Sequence, residues 1–344
     1  LLPSPHDSHP AVRRCAAEAI FRYGPDAVAD RLLLAVAGLL SDSDEGVRHA
    51  ALRVIPRLSP DQRKRLAAIK PDATPLASVL IELGRTMRPG EVRLEAAARA
   101  LEALESDAGE TTKFAAVRLL QLALGDIGPS GKRPAVFDGY TSRRDLTAQE
   151  RALDPVRVRL ANVFPTGAAS LDDELGRVVS PISPFNAELL NSVLHKITDD
   201  SHPVADIHWL IVSARIPVER TSSQRSNLAR AFVQLDSTIA ARHLPQDTNW
   251  IPRITELYRR QVELDPDLPA AVVQEPEFGL PGHVLFLNGL PKERLSASLS
   301  RFVERSERDS DFAWTCDLIF LLSDSPVAAH RVLGRETAAG DDLL

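Results

Sequence analysis

Two stretches near the start of the chain are close copies of each other: residues 8–20 read SHPAVRRCAAEAI, and residues 43–55 read SDEGVRHAALRVI. Residues 90–101, GEVRLEAAARAL, repeat the same Val-Arg pair followed by alanines. The pairs recur at a period of roughly 35 to 45 residues, which is typical of stacked helical hairpins. The repetition therefore predicts an all-α fold built from short helical units.

Each copy has the features of a helix start followed by an apolar face. Ser8 and Ser43 stand where an N-cap hydroxyl would accept from free backbone N–H groups. Pro10 falls in the first turn, where proline is tolerated. Because one such helix cannot bury its apolar stripe alone, neighbouring helices must stack. Apolar side chains recur at helical spacing at Val12, Ala16, Ala19, Ile20, Val47, Ala51, Val54 and Ile55.

The pattern Val12-Arg13, Val47-Arg48 and Val92-Arg93, with its trailing alanines, resembles the HEAT repeat, a family of two-helix units that form α-solenoids. The resemblance extends over residues 8–125. It implies an α-solenoid of HEAT-like antiparallel helix pairs, irregular in the C-terminal half. The arginines at these equivalent positions are expected to form a ladder along the stack. The family implies a shape and a partner-binding surface rather than a reaction.

The composition of this 344-residue chain is that of a globular protein, with 44% hydrophobic and 26% charged residues. The net charge of −6 argues against a dedicated nucleic-acid binder, which usually carries a basic face. No apolar run approaches the roughly 18 residues that a membrane-spanning helix needs. Cys15 and Cys316 stand near opposite ends of the chain, so we expect no disulfide between them.

Proline, glycine and apolar periodicity divide the chain into four parts. We expect a HEAT-like repeat block at 1–125, an irregular loop or linker at 126–146, a second helical block with degenerate repeats at 147–334, and a frayed acidic tail at 335–344. The chain begins at Leu1 rather than at Met, so we expect it to be a fragment of a longer protein, and its ends do not indicate a compartment.

Three further predictions concern the two helical blocks. The first block should contain continuous helices, among them one over 44–58. In the second block, residues 200–203 repeat residues 7–10 as Asp-Ser-His-Pro, which predicts another helix start with His202 in the starting turn. The tryptophans are expected to anchor the core between helices, because no basic residues interleave with them: Trp209, Trp250 and Trp314.

The stretch 126–146 is the best candidate for a functional site. Its glycines and prolines deny it regular structure, and a loop of this length is often functional or a linker. Both interpretations remain open: a partner-binding loop, or a linker between two helical blocks. If the stretch is a partner-binding loop, its binding residues are Lys132, Arg133, Phe137, Tyr140, Arg143 and Arg144, which combine local positive charge with aromatic side chains.

Other polar clusters favour structural interpretations. The densest basic patch is more simply a solvated helix face than a phosphate or acidic-partner contact: Arg57, Arg63, Lys64, Arg65 and Lys70. His195, His202 and His208 lie among acidic residues but lack the spacing of a metal site. No phosphate loop, calcium loop, dinucleotide fingerprint or catalytic triad motif is present. We therefore predict neither a cofactor nor a metal.

The second half of the chain resembles the repeat-rich region of large bacterial exported proteins that carry HEAT repeats beside a c-type haem domain. The resemblance is carried by Phe164-Pro165-Thr166-Gly167, Asp173-Glu174-Leu175, Ile207-His208-Trp209 and Asn249-Trp250. The chain lacks the Cys-x-x-Cys-His haem motif, so it would correspond to the haem-free part. This resemblance implies a periplasmic or exported location.

Three functions follow as hypotheses. The first is a non-enzymatic helical-repeat scaffold that contacts a protein partner or an adjoining domain of the same chain. The alternative is an accessory helical domain of a larger exported haem-containing redox protein. A third, a HEAT-type enzyme acting on nucleic acid or a pigment, is disfavoured by the acidic charge and the missing catalytic set.

Overall fold

A computed structural model describes residues 4–23, 30–69, 74–87, 92–128, 135–287 and 289–340. The regular structure of these residues is helical, apart from one antiparallel bridge between Ile127 and Ser142. The all-α prediction is therefore confirmed for this part of the chain. The chain divides into two compact units, of which the first comprises 1–132 and 138–184 and the second 133–137 and 185–344.

The first unit contains nine labelled helices: α1 Pro10–Tyr23, α2 Asp30–Leu39, α3 Glu45–Leu52, α4 Pro60–Ala68, α5 Pro75–Thr86, α6 Leu94–Glu105, α7 Glu110–Ala123, α8 Asp154–Val163 and α9 Ala169–Ile182. Short 3-10 segments cover Ile55–Arg57 and Thr147–Leu153. Because α8 packs on α6 and α9 packs on α7, the residues up to 184 continue this unit, past the boundary at 146 that the sequence suggested.

Helices of the first unit pack on the helix two places along the chain. α1 contacts α3, α3 contacts α5, α5 contacts α7, and α7 contacts α9, while α2 contacts α4 and α6 contacts α8. The predicted small residues lie in this core, where their size permits close helix approach. The buried alanines of the three repeat copies are Ala16, Ala17, Ala50, Ala51, Ala96, Ala97 and Ala100.

The repeat arginines brace the turns before their own helices. Nη1 of Arg13 donates to the carbonyls of Asp7 and Ser8, both at 2.9 Å. Nη1 of Arg48 donates to the carbonyls of Asp42 and Ser43, at 2.7 and 2.9 Å. The rest of the Arg13 guanidinium donates to the Asp42 carboxylate at 2.6 and 2.8 Å, which lowers the pKa of Asp42. This ion pair joins the first repeat copy to the residue that precedes the second copy.

Arg93 does not share this arrangement. It occupies the N-cap position of α6 without a side-chain capping bond, and its guanidinium donates to the carbonyl of Arg85 at 3.0 Å. The third copy therefore starts its helix differently from the first two. Residues 88–91, which include the beginning of that copy, lie outside the described residues.

The helix caps lie one residue after the predicted serines. Nδ1 of His9 accepts from the N–H of Ala11 at 3.2 Å, and Oδ1 of Asp44 accepts from the N–H of Val47 at 3.0 Å. Pro10 occupies the first helical position and therefore makes residue 9 the cap. The prediction of capping by Ser8 and Ser43 is wrong. The carbonyls of these serines accept from the arginine braces instead.

The predicted helix over 44–58 is broken. α3 ends at Leu52, and the chain passes through a turn into the 3-10 segment Ile55–Arg57. Pro56 explains the break, because proline has no N–H and its ring clashes with the carbonyl four residues earlier, which is that of Leu52.

The second unit contains eight labelled helices: α10 Ala187–Leu194, α11 Pro203–Ser213, α12 Ser222–Ala241, α13 Trp250–Leu264, α14 Leu268–Val272, α15 Lys292–Ser306, α16 Cys316–Ser323 and α17 Ala328–Gly340. A 3-10 segment covers Pro281–Leu287. α17 extends six residues into the tail that was expected to fray from 335, because its last turns are rich in helix-forming alanine.

The core of the second unit contains a cluster of aromatic rings. Phe232, Tyr258 and Phe286 meet edge to face, with ring centroids 4.9 to 5.6 Å apart. Phe278 contacts both Phe302 and His283 nearby. We call these six residues the aromatic cluster. The tryptophans contribute less than predicted, since Trp209 is buried but Trp250 and Trp314 are half-buried.

A buried polar network fixes the turn between α11 and α12. Arg220 donates to the carbonyls of Ser213, Ile216 and Val218. Burial lowers the pKa of Arg220 to about 10. Gln261 of α13 donates to the Ser213 hydroxyl at 2.7 Å, so α11, α13 and the turn before α12 share this network. The sequence carries no local signal for it.

Candidate functional site

The base of the stretch 126–146 is bonded into the first unit. The N–H of Gly128 donates to the carbonyl of Thr141 at 3.2 Å, and the N–H of Arg143 donates to that of Asp126 at 3.0 Å. The Ser142 hydroxyl donates to the carbonyl of Leu124 at 2.7 Å. Gly125 has a φ of 95°, and a side chain there would collide with Arg144. The two ends of the stretch are therefore held together.

The six predicted binding residues have different surroundings. Lys132 and Arg133 lie outside the described residues. Tyr140 is buried in the first unit, with the Arg177 guanidinium 5.0 Å from its ring centroid, and burial raises the pKa of its hydroxyl.

The remaining three of the predicted binding residues also differ in their surroundings. Phe137 belongs to the second unit, where the Arg215 guanidinium lies 5.5 Å from its ring centroid. Arg143 and Arg144 are exposed, and Arg143 lies 3.9 Å from Asp126. Tyr140 thus acts as a core residue here, while the two exposed arginines keep the binding prediction open for their part of the loop.

The basic patch contains an arrangement that the sequence did not predict. The guanidiniums of Arg53 and Arg57 lie 4.7 and 4.6 Å from the centroid of the Phe21 ring. Both arginines are exposed, and the ring is half-buried at the end of α1. Each such cation–π contact contributes about 0.5–1 kcal/mol at an exposed site. We call Phe21, Arg53 and Arg57 the arginine platform.

The fold explains the arginine platform. α1 packs on α3, and the turn after α3 leads directly into the 3-10 segment, so residues 53 and 57 come to the end of α1. Of the other predicted patch residues, Arg63 donates to the carbonyl of Leu58 at 2.7 Å, Lys64 and Arg65 are exposed, and Lys70 lies outside the described residues.

A cleft of about 490 Å³ lies in the second unit among α13, the 3-10 segment, α15 and α16. Phe320 and Ile251 contribute to its lining although 66% and 51% of their surfaces remain exposed. Thr255 and Asp317 are its polar lining residues. The full lining is Ile251, Thr255, Val284, Leu285, Leu287, Leu295, Asp317, Phe320 and Leu321. Exposed apolar side chains gathered in this way are typical of a binding surface.

A serine and a histidine in the second unit have the spacing of a nucleophile and a base. The Ser300 hydroxyl lies 3.1 Å from Nε2 of His330, and the Ser325 hydroxyl lies 3.0 Å from Nδ1. Burial lowers the pKa of His330. A neutral ring that donates from Nε2 to Ser300 and accepts at Nδ1 from Ser325 satisfies both bonds, with Ser300 donating to the carbonyl of Ser296. The arrangement therefore joins α15 to α17.

Two histidines of the predicted cluster form hydrogen bonds at helix ends. His202 is the N-cap of α11, where Nδ1 accepts from the N–H of Val204, so its predicted role as a helix-start residue is confirmed. His195 follows α10 and bonds to the carbonyl of Asn191 at 2.7 Å. Ser201 donates to the carboxylate of Asp206, whose pKa burial raises. Within the described ranges, no group of three or more His, Cys, Asp or Glu side chains could hold a metal ion.

Known proteins do not identify the chain. No protein-family model matches the sequence, and no curated protein matches it. In the part of the chain that the structure describes, no helix has both the length and the apolar character needed to cross a membrane. The candidate function therefore rests on two surfaces, the arginine platform of the first unit and the cleft of the second.

Proposed function

We propose that this chain is a non-enzymatic helical-repeat scaffold, with a HEAT-like stack of helix pairs, that contacts another protein or an adjoining domain of its own chain. The packing of most helices of the first unit on the helix two places along, together with the close packing of the neighbours α6 and α7, supports the stacked arrangement. The repeated arginine braces, each reaching back to the turn before its own helix, support the equivalence of the first two copies.

The cleft in the second unit is the observation that carries the contact function. Among the described residues, seven of its nine lining side chains are apolar. Phe320 keeps 66% of its surface in solvent, and Ile251 keeps 51%. Aromatic side chains that fill pockets at an interface centre supply much of its binding energy. The occupant we assign is a segment of a partner protein that presents apolar side chains beside a lysine or arginine.

Charge complementarity supports the basic residue in this occupant. Among the described residues, Asp317 is the one ionisable residue of the lining, and it is exposed in the first turn of α16. A cationic side chain that enters beside Phe320 would pair with its carboxylate. Such a pair at the rim mainly orients the partner, while burial of the apolar side chains supplies the affinity.

A random peptide display library, selected on the purified chain, tests this function. We expect enriched peptides to combine apolar residues with lysine or arginine, and to bind Phe320→Asp at least about tenfold more weakly. Phe185→Asp is the matched control, because Phe185 is 80% exposed in the same unit and is not part of the cleft lining.

The charge of the occupant has its own test. Selection on Asp317→Lys should enrich acidic rather than basic peptides. Peptides that bind Phe320→Asp and the wild-type chain equally, or a selection that yields no shared pattern, would contradict the proposal.

A further inference from the structure

We propose that the arginine platform of the first unit binds carboxylate side chains from an acidic segment of a partner protein. The platform and the cleft belong to different units and take opposite charges, so this inference does not depend on the proposed role of the cleft.

The two platform arginines differ from most other arginines in their contacts. Arg159 binds the Glu105 carboxylate with bonds of 2.7 and 2.6 Å, and Arg225 binds Asp265 at 2.7 Å. Among the described residues, no hydrogen-bond acceptor or carboxylate pairs with the side chain of Arg53 or Arg57.

The nearest acidic residue along α1 does not fill this role. Glu18 lies one turn before Phe21, and it is already paired with Arg14 at 3.0 Å. Both guanidinium groups are exposed, so they are accessible to an acceptor on another molecule.

The geometry holds two like charges against one ring. Positive groups four residues apart on one side of the chain repel each other, and an anion placed between or beside them removes that repulsion. Each guanidinium is a planar fork that matches a carboxylate with two parallel hydrogen bonds. Stacking on Phe21 restrains both side chains before binding, so less conformational freedom is lost when a carboxylate docks.

An acidic protein segment fits this surface better than nucleic acid. The chain carries a net charge of −6, and a nucleic-acid binder needs a wide basic face to neutralise many phosphates. Two separate forks call for two carboxylates, which neighbouring aspartates or glutamates in one segment supply. The ring between the forks also offers an apolar contact for the aliphatic part of a glutamate side chain.

Binding of a fluorescent oligoglutamate peptide to the full chain, followed by anisotropy at low salt, tests the inference. Arg53→Gln/Arg57→Gln should weaken binding at least about tenfold. The control Lys64→Gln/Arg151→Gln removes the same charge from exposed positions of the same unit and should weaken binding less than about twofold. Phe21→Leu keeps an apolar side chain but loses the ring. Its affinity for the peptide should lie between those of the two double variants.

Several outcomes would overturn the inference. Equal weakening by both double variants would reduce it to general charge attraction, and absence of binding at low salt would refute it. Displacement of the peptide by inorganic phosphate at a lower concentration than by unlabelled peptide would assign the platform to phosphate. Thermal unfolding confirms that each variant is folded. Phe320→Asp should leave oligoglutamate binding unchanged, which separates this result from the test of the cleft.

Discussion

The two units reach a packed core by different routes. The first repeats one local device, in which an arginine braces the preceding turn and alanines let alternate helices approach. The second gathers the aromatic cluster and the buried Arg220–Gln261 network from segments far apart in the chain. A core built from local repeats can be recognised in a sequence, whereas a core of distant, unrepeated contacts cannot.

The largest loss of stability should come from placing a charge in the buried core of the first unit. Val47 is fully buried, and Val47→Asp puts a carboxylate there without a partner, so we expect a loss of about 4 kcal/mol in the free energy of unfolding. The favourable position near the start of α3 offsets about 1 kcal/mol at most. The urea midpoint measures this loss, and Lys64→Ala, at an exposed position, should leave it nearly unchanged. Similar midpoints for both variants would show that the repeat faces are misassigned.

An effect of intermediate size is expected in the second unit, whose stability should fall at acidic pH because of one buried histidine. His283 is fully buried, and its Nδ1 accepts from the N–H groups of Gly279 and Leu280 at 3.1 and 3.3 Å. Burial lowers the pKa of this ring to about 4. The unfolded chain takes up a proton below about pH 6.5 while the folded ring stays neutral. Stability should therefore fall by up to roughly 3 kcal/mol between pH 6.5 and 4.

The variant His283→Gln isolates this contribution. Its absolute stability will be lower, but the part of the pH slope that belongs to the ring should disappear. Urea midpoints at a series of pH values measure both slopes, and their difference removes the contributions of all other titrating groups. Parallel slopes for the two proteins would show that the ring does not resist protonation in the folded state.

The smallest loss of stability is expected when one arginine brace is removed. Comparing a brace from each unit tests whether both units depend on it. Arg331 in the second unit donates through Nη1 to the carbonyls of Ser325 and Pro326, both at 2.8 Å. This is the same arrangement that Arg48 makes in the first unit. Arg48→Ala and Arg331→Ala should each cost about 1–2 kcal/mol, since each leaves two carbonyls without their charged donor.

Lysine replacements sharpen this comparison. Arg48→Lys and Arg331→Lys keep the charge but lose the planar fork, so they should recover part of the stability lost in the alanine variants. A brace that matters in one unit and not in the other would show that the resemblance between the two turns is geometric only.

Local patterns in the sequence predicted the helices of the first unit well because their causes are local. The Val-Arg pairs and alanines marked buried faces. A local signal was also sufficient at one place in the second unit, where Asp-Ser-His-Pro at 200–203 marked the start of α11. The break after Leu52 was also present in the sequence as Pro56, whose effect on the carbonyl four residues earlier was overlooked. The brace at Arg331 escaped notice because its Val-Arg signature is replaced by His330-Arg331.

The candidate surfaces were harder to predict than the helices. The basic patch pointed to Arg57 but not to Phe21 or Arg53, because only the packing of α1 on α3 brings the ring to the arginines. A signal existed in the spacing of Arg53 and Arg57, which four residues separate. The cleft had no such signal, since its lining comes from four separate segments.

The arginine brace also bears on how such a chain can change its length. Each brace joins an arginine to carbonyls five and six residues earlier in the chain, at Arg13, Arg48 and Arg331. A duplicated copy would therefore contain its own brace. It would need a neighbouring copy only to bury its apolar face and to form an ion pair such as Arg13–Asp42. We therefore expect the first unit to tolerate insertion or loss of a whole copy better than the second, whose aromatic cluster joins segments far apart in the chain.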